Sequence, residues 1–142
     1  MNKDFTGGCL CEAVTYIDEG SPLFCGHCQC VDCRKASGTG HGSHMAMPED
    51  SVRFSGETRC YDRPADSGNM VGRHFCPECG SAVYSTNSAM PGMVFLRASS
   101  LDDPDIFKPQ LVVFTKSGAA WDLIDPELPS LEAAPPPEQM PL

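Results

Sequence analysis

Four cysteines in two distant pairs set the strongest demand on how this chain folds. Cys9-Leu10-Cys11 stands near the N-terminus, and Cys76-Pro77-Glu78-Cys79-Gly80 stands in mid-chain. The second is a metal knuckle by spacing, because a glycine after the last cysteine lets the backbone turn so that its N–H groups face sulfur. Two thiolates need two more to close a tetrahedron around a soft ion, and each pair is the missing half of the other. A fold that satisfies both must bring the N-terminal segment against the middle of the chain, with Cys9, Cys11, Cys76 and Cys79 as structural zinc ligands. A lone C-x-x-C is also the spacing of a thioredoxin-like redox motif. That motif belongs to a βαβ context, and no such pattern surrounds residues 76–79.

A second cluster lies between the pairs. Residues 25–34 read Cys-Gly-His-Cys-Gln-Cys-Val-Asp-Cys-Arg, in which Cys28, Cys30 and Cys33 form C-x-C-x-x-C. One tight loop can carry those three sulfurs to a single point. Three ligands without an evident fourth leave a coordination position open, which is how catalytic rather than structural zinc sites are built. The loop is the candidate active site, and the two sets together predict up to two zinc ions per chain. Arg34-Lys35-Ala36-Ser37 is expected to form a short helical turn that ends at Gly38, its N-terminus directed at the metal, where helix dipole and Arg34 favour thiolate charge. His41 and His44 follow in a glycine-rich run, where an imidazole either approaches a metal or substrate or is solvated or satisfied in the core. That run lacks the Gly-Lys-Ser/Thr ending of a phosphate loop. Cys25 and Cys60 fit neither set and read as small apolar residues or spare thiols.

Composition narrows the setting. The chain has 142 residues, enough for one domain with a sizeable core, and a net charge of -9 with no Lys/Arg cluster. Its surface as a whole repels phosphate backbones and anionic membranes, so neither nucleic acid nor membrane is expected as a partner. The N-terminus carries no apolar signal region, no long apolar run follows, and a cytoplasmic location is expected. In a reducing compartment nine cysteines, an odd number, are better explained by metal than by disulfides.

The rest of the chain reads as short strands punctuated by turns. A strand is expected from about Leu10 through Ala13-Val14-Thr15-Tyr16-Ile17, and others at Met45–Met47, Val52–Phe54, Arg59–Tyr61, Ala82–Ser85, Met93–Arg97 and Leu111–Phe114. Residues 62–72, with Pro64, Gly68 and Gly72, read as a loop. Residues 117–124 carry the single tryptophan, Trp121, in a short helix or docking segment. Six of the 17 residues from Pro126 onward are proline, which predicts an extended tail lying across the domain or disordered. The expected fold is mainly β, one domain with short helical turns.

At this point the motifs resemble a known family, the glutathione-dependent formaldehyde-activating enzymes, whose domain is shared with centromere protein V. Gly8-Cys9-Leu10-Cys11-Glu12-Ala13-Val14-Thr15-Tyr16 resembles the family's opening G-C-x-C-G-x-V-x-Y. Cys28-Gln29-Cys30-Val31-Asp32-Cys33-Arg34-Lys35 resembles C-H-C-x-x-C-R-[RK], and Arg73-His74-Phe75-Cys76-Pro77-Glu78-Cys79-Gly80 resembles R-x-F-C-x-x-C-G. Leu101-Asp102-Asp103-Pro104 and the later Trp121 also fit. The resemblance implies a zinc-stabilised β-tent or zinc-ribbon-like domain over residues 5–130 with a Pro-rich tail over 131–142. It also implies structural zinc at Cys9, Cys11, Cys76 and Cys79, catalytic zinc at Cys28, Cys30 and Cys33, and glutathione as cosubstrate. The implied reaction is a carbon–sulfur lyase or synthase step joining a thiol to a small aldehyde such as formaldehyde, with Arg34 and Lys35 pairing with carboxylates of the thiol. Two positions depart from the family pattern: Glu12 replaces a glycine, and Gln29 replaces a histidine, with His27 on the other side of Cys28. The alternatives are a non-catalytic zinc-stabilised binding module, for which centromere protein V adds a basic segment not found here, and a redox-sensing thiol cluster.

Overall fold

A computed structural model of the chain describes residues 4–134. Ten strands and one α-helix run in the order β1 (Phe5–Gly8), β2 (Thr15–Asp18), β3 (Phe24–Cys28), α1 (Val31–Ser37), β4 (Gly42–Pro48), β5 (Val52–Ser55), β6 (Arg59–Pro64), β7 (Met70–Phe75), β8 (Ala82–Asn87), β9 (Met93–Arg97) and β10 (Leu111–Val113). The remaining helical pieces are single 3-10 turns. The fold is mainly β and a single domain, as the spacing of short strands predicts. No helix among the described residues is long and apolar enough to cross a membrane.

Two sheets form. The smaller has the order β1-β2-β5 and the larger β10-β3-β4-β9-β8-β7-β6. Every pairing is antiparallel except β10 with β3. The core gathers Phe5, Val14 and Tyr16 from the first residues with Met45, Met47, Val83, Val94 and Leu96 of the larger sheet. Full burial of one such side chain is worth about 1.5–3 kcal/mol. Within the smaller sheet Tyr16 meets Phe54 edge to face at 5.7 Å, and Phe54 joins the two sheets by stacking on Tyr84 at 4.4 Å. Gly7 opposite Tyr16 is required by that packing, because a Cβ there would lie 2.2 Å from the tyrosine hydroxyl. The hydroxyl is thereby free to bond Ser100 Oγ at 2.7 Å.

Three local expectations change. The strand does not start at Leu10: Gly7 and Gly8 lie in β1, residues 9–14 form a turn, and β2 begins at Thr15. Hydrogen bonding to sulfur, described below, outweighs the β propensity of the residues that follow Leu10. Residues 62–72 are not one loop, since β6 and β7 form a hairpin with Asp62 opposite Gly72 and only 65–69 turn. Pro64 is tolerated because β6 is an edge strand, and every residue of β6 is exposed. Residues 117–124 contain no α-helix; one 3-10 turn, Thr115–Ser117, is followed by irregular chain in which Trp121 is 66% exposed. Residues 129–132 run along the free edge of β10, where Val112 N–H donates to Pro129 O and Leu131 N–H to Val112 O, each at 2.9 Å. The remainder of the expected Pro-rich tail, 135–142, lies outside the described residues.

Glu12 sits at φ 68°, in the left-handed region that favours glycine. That conformation costs a side-chain-bearing residue about 1–2 kcal/mol, and glycine's greater freedom when unfolded returns part of it. Glu12→Gly is therefore expected to raise stability by about 0.5–1 kcal/mol. Chemical denaturation checks this; a stability decrease would show that the Glu12 side chain makes a contact worth more than the strain.

Candidate metal centres and active site

The turn between β1 and β2 is organised around sulfur. Cys9 N–H donates to the Val14 carbonyl at 2.9 Å, and Val14 N–H donates back to Cys9 Sγ at 3.3 Å. The facing turn after β7 is built alike: Gly80 takes φ 78°, its N–H donates to the Cys76 carbonyl at 2.8 Å, and Glu78 N–H donates to Cys76 Sγ at 3.3 Å. Leu10 N–H reaches across to Ser81 Oγ at 3.1 Å. The Cys11 sulfur lies 3.7 Å from those of Cys9 and Cys76, and all four sulfurs lie within 4.8 Å of one another. Four sulfurs placed about 2.3 Å from a central ion have tetrahedral edges of about 3.8 Å, so the donor set and its spacing fit a soft metal ion. Ser81, through its hydroxyl and its backbone N–H, holds the Cys79 thiol down to about 5. Burial opposes ionisation of Cys9, yet the Val14 N–H and the Cys76 and Cys11 thiols outweigh it and leave Cys9 below its ordinary value.

The second cluster forms where a strand ends and a helix starts. Cys28 ends β3, Cys30 is the N-cap of α1, and Cys33 is buried in the first turn. Their sulfurs also lie within 4.8 Å of one another, and no fourth Cys, His, Asp or Glu joins that group among the described residues. Cys30 Sγ accepts the Cys33 N–H at 3.2 Å, as a serine or aspartate oxygen does at an N-cap. Hydrogen bonds from the Cys28 and Cys33 thiols, with the N–H groups of Cys33 and Asp32, hold Cys30 far below the usual thiol range. The same contacts push Cys28 up. Of the three thiols, Cys30 is therefore the one most readily ionised. The helix ends at Gly38, at φ 79°, as expected from sequence.

Strand register supplies the surroundings. His44 on β4 pairs with Arg97 on β9, and its Nε2 lies 3.5 Å from Cys33 Sγ and 3.2 Å from Arg97 Nη1. Burial, then the Arg97 charge, pushes His44 down to about 3, so it meets the sulfurs as a neutral imidazole. Gly42 makes room: a Cβ there would lie 2.6 Å from His44 Nε2 and 2.8 Å from Arg97 Nη1. Arg34 is half-buried and Lys35 exposed on α1. A separate polar group gathers beside Cys28: His27 Nδ1 bonds Ser43 Oγ at 2.8 Å, His41 Nδ1 lies 2.9 Å from Asp122 Oδ1, and Gln29 Nε2 donates to Asp122 Oδ2 at 3.0 Å. The rings of His27 and His41 meet edge to face at 4.6 Å. His44 is thus brought to the sulfurs and His41 to a carboxylate. Cys25 is a buried core residue, and Cys60 is exposed on β6, 3.4 Å from Asp62 Oδ1.

Asp122 and Arg97 were not singled out in the sequence, whereas Arg73 opens the third cysteine motif. The only sequence signal near Asp122 is the flanking tryptophan. Gly40 fixes its position, since a Cβ there would lie 2.3 Å from Asp122 Cγ. Gly40→Ala is expected to cost about 1–3 kcal/mol and to free the 118–124 segment, seen as faster amide exchange there. Gly38→Ala, which meets nothing within 4 Å, should leave that exchange unchanged.

Comparison with known proteins agrees with the cysteine pattern. The family model described as "Glutathione-dependent formaldehyde-activating enzyme" matches residues 4–117. A curated protein of Halomonas elongata, provisionally named a glutathione-dependent formaldehyde-activating enzyme, is 32% identical over 101 residues. That match covers 68% of this chain and 64% of the relative, so it spans less than two thirds of the relative's length. A Rhodobacter sphaeroides protein of known crystal structure shares the fold with a TM-score of 0.57 at 18% identity, over 73% of this chain and 96% of that one. With its two cysteine centres inside the matched region, the chain belongs to the glutathione-dependent formaldehyde-activating enzyme family.

Proposed function

We propose that this chain is a zinc-dependent carbon–sulfur lyase/synthase that joins a glutathione-like thiol to a small aldehyde such as formaldehyde, or runs the reverse. The observation that carries the reading is the contrast between the two clusters: four sulfurs complete one, whereas three sulfurs, with no fourth donor grouped with them among the described residues, make the other. A complete tetrahedral set suits a structural ion, and Cys9, Cys11, Cys76 and Cys79 take that role. An open set suits catalysis, and Cys28, Cys30 and Cys33 take that one. The thiol-rich chain, with all nine cysteines free, suits a reducing cytoplasm. In this reading the working unit is residues 5–130, and the 131–142 tail that follows begins along the edge of β10.

When bound at the open set, zinc supplies Lewis acidity that lowers a thiol pKa or polarises a carbonyl. The chain's own residues do the rest. The Cys33 N–H fixes Cys30 through the helix cap, and His44 fixes Cys33 from behind. Arg97 offsets thiolate charge from a buried position. Arg34 and Lys35 stand at the helix to meet carboxylates of the incoming thiol. The addition itself forms one carbon–sulfur bond at the aldehyde carbon and moves the thiol proton to the new hydroxyl.

Three outcomes test this reading. Elemental analysis should find up to two zinc ions per chain, the open site losing its ion first to a chelator. Structural zinc contributes folding free energy on the order of 10 kcal/mol in small domains, so Cys76→Ser or Cys11→Ser should unfold the chain while Cys30→Ser leaves it folded. Equal loss of thermal stability would remove the distinction between the centres. With glutathione and formaldehyde, exchange NMR should show adduct formation faster than the uncatalysed reaction, and Cys30→Ser should abolish the excess. A folded, zinc-replete protein with no turnover on a panel of thiols and aldehydes would leave the non-catalytic binding module.

A further inference from the structure

The two sulfur sets differ in what surrounds their charge. The largest influences on Cys9, Cys11 and Cys79 are burial, backbone N–H groups, Ser81 and the cysteines themselves, and Cys11 is exposed, so water screens that set. The three-sulfur set has a buried cation instead. Arg97 is 4% exposed and donates to the Cys33 thiol, and the charges of Cys33 and Cys28 act on it in turn. Its Nη1 lies 3.3 Å from Nδ1 and 3.2 Å from Nε2 of His44. A nitrogen so nearly equidistant from both ring nitrogens sits over the imidazole face, since in the ring plane it would collide with Cε1. His44 Nε2 is left to reach Cys33 Sγ, at 3.5 Å. Guanidinium and imidazole thus converge on one sulfur of the three. None of the ion pairs among the described residues gives Arg97 a carboxylate, so sulfur is its counter-charge. Arg73 belongs to the same face of the larger sheet: it pairs with Ser85, Ser85 pairs with Phe95, and Phe95 stands two residues before Arg97. Its charge acts on both Arg97 and His44.

We propose that Arg97 is the positioning residue that lets the three-sulfur set accept a thiolate as its fourth donor, so that the open position belongs to the thiol cosubstrate and not to the aldehyde. This rests on the reading of that set as the thiol–carbonyl site. Charge decides between the two partners. Three thiolates around a divalent ion leave one negative charge in surplus, and in a buried place a fourth anion is repelled unless a cation stands by. Arg97 offsets that surplus, and Arg73 on the same sheet face leaves the surroundings able to take one more negative charge. A carbonyl oxygen, being neutral, gains little from such a cation, and it is a hard donor where three sulfurs select soft ones. Arg97 touches Cys33 and not the reacting atoms, so it acts through the donor set. In the step it supports, the thiol S–H bond breaks, the proton passes to solvent and the sulfur keeps the electron pair. That sulfur then bonds to the aldehyde carbon, the carbonyl π pair moves to oxygen, and the oxygen takes a proton back from water.

Cobalt in the three-sulfur set, with zinc kept in the closed one, tests this without turnover, because each added sulfur–cobalt bond raises charge-transfer absorption in the near ultraviolet. Glutathione should raise that band saturably and S-methylglutathione should not. Calorimetry in buffers of different ionisation enthalpy should count about one proton released per glutathione bound. Arg97→Gln should weaken glutathione by about tenfold or more at unchanged cobalt content, the loss expected when a charged hydrogen-bonding partner is removed. Arg97→Lys, which keeps the charge, should restore most of the affinity. Arg53→Gln, at an exposed arginine paired with Glu19, should not change it. Where Arg97→Gln does not fold, Arg97→Met, an apolar replacement of similar length, gives the same comparison. No glutathione-dependent band, binding without proton release, or equal binding by the neutral variant overturns the proposal. If the zinc-loaded protein still turns over glutathione and formaldehyde in that case, the thiol–aldehyde reading stands without it. The band and the proton with no turnover of any aldehyde keep the role of Arg97 and remove the thiol–aldehyde reaction.

Discussion

Sulfur-centred hydrogen bonding at the two turns that face each other, 9–14 and 76–81, is what the rest of the molecule depends on. The smaller sheet has only three strands of four residues each, and it shares one core with the larger sheet. Cys9 and Cys76 are both buried in the same cluster as Tyr16, Met45 and Leu96. The two cysteine turns are therefore part of the core. Their backbone N–H groups are spent on sulfur, which is why the chain there is a turn even though strand-forming residues follow.

The larger sheet divides its labour by face. Along β4, Met45 and Met47 point to the core and His44 points to the three sulfurs, as the two-residue period of a strand requires. Neighbouring β9 does the same, with Val94 and Leu96 in the core and Arg97 beside His44. A slip of one residue between β4 and β9 would exchange core for site. The apolar packing that fixes this register also fixes the imidazole and the guanidinium.

Both cysteine sets were legible in the sequence because ligand spacing is local: C-x-C, C-x-x-C and C-x-C-x-x-C each place sulfurs through a turn of a few residues. The mainly β fold followed from short strand-like runs between turn residues. What escaped was set by partners far away along the chain. Arg97 and Arg73 reach the sulfurs' side of the sheet only through pairing across β4, β9, β8 and β7, and Asp122 reaches Gln29 and His41 only because Gly40 lacks a side chain. The β6–β7 hairpin was hidden by Pro64 and Gly72, residues that an edge strand accommodates. The left-handed Glu12 was visible only as a departure from the family's glycine.

The two centres also differ in how much chain each must gather. Cys11 and Cys76 are 65 residues apart, while Cys28, Cys30 and Cys33 share one strand end and one helical turn. Loop-closure entropy rises with the logarithm of loop length, which makes the distant pairing more costly by about 2 kcal/mol before any ion is bound. A chain emerging from the ribosome also completes the three-sulfur loop long before Cys76 exists. The three-sulfur loop is thus assembled first, and the four-sulfur set only as the two sheets dock. The set that is assembled first is the one with fewer donors.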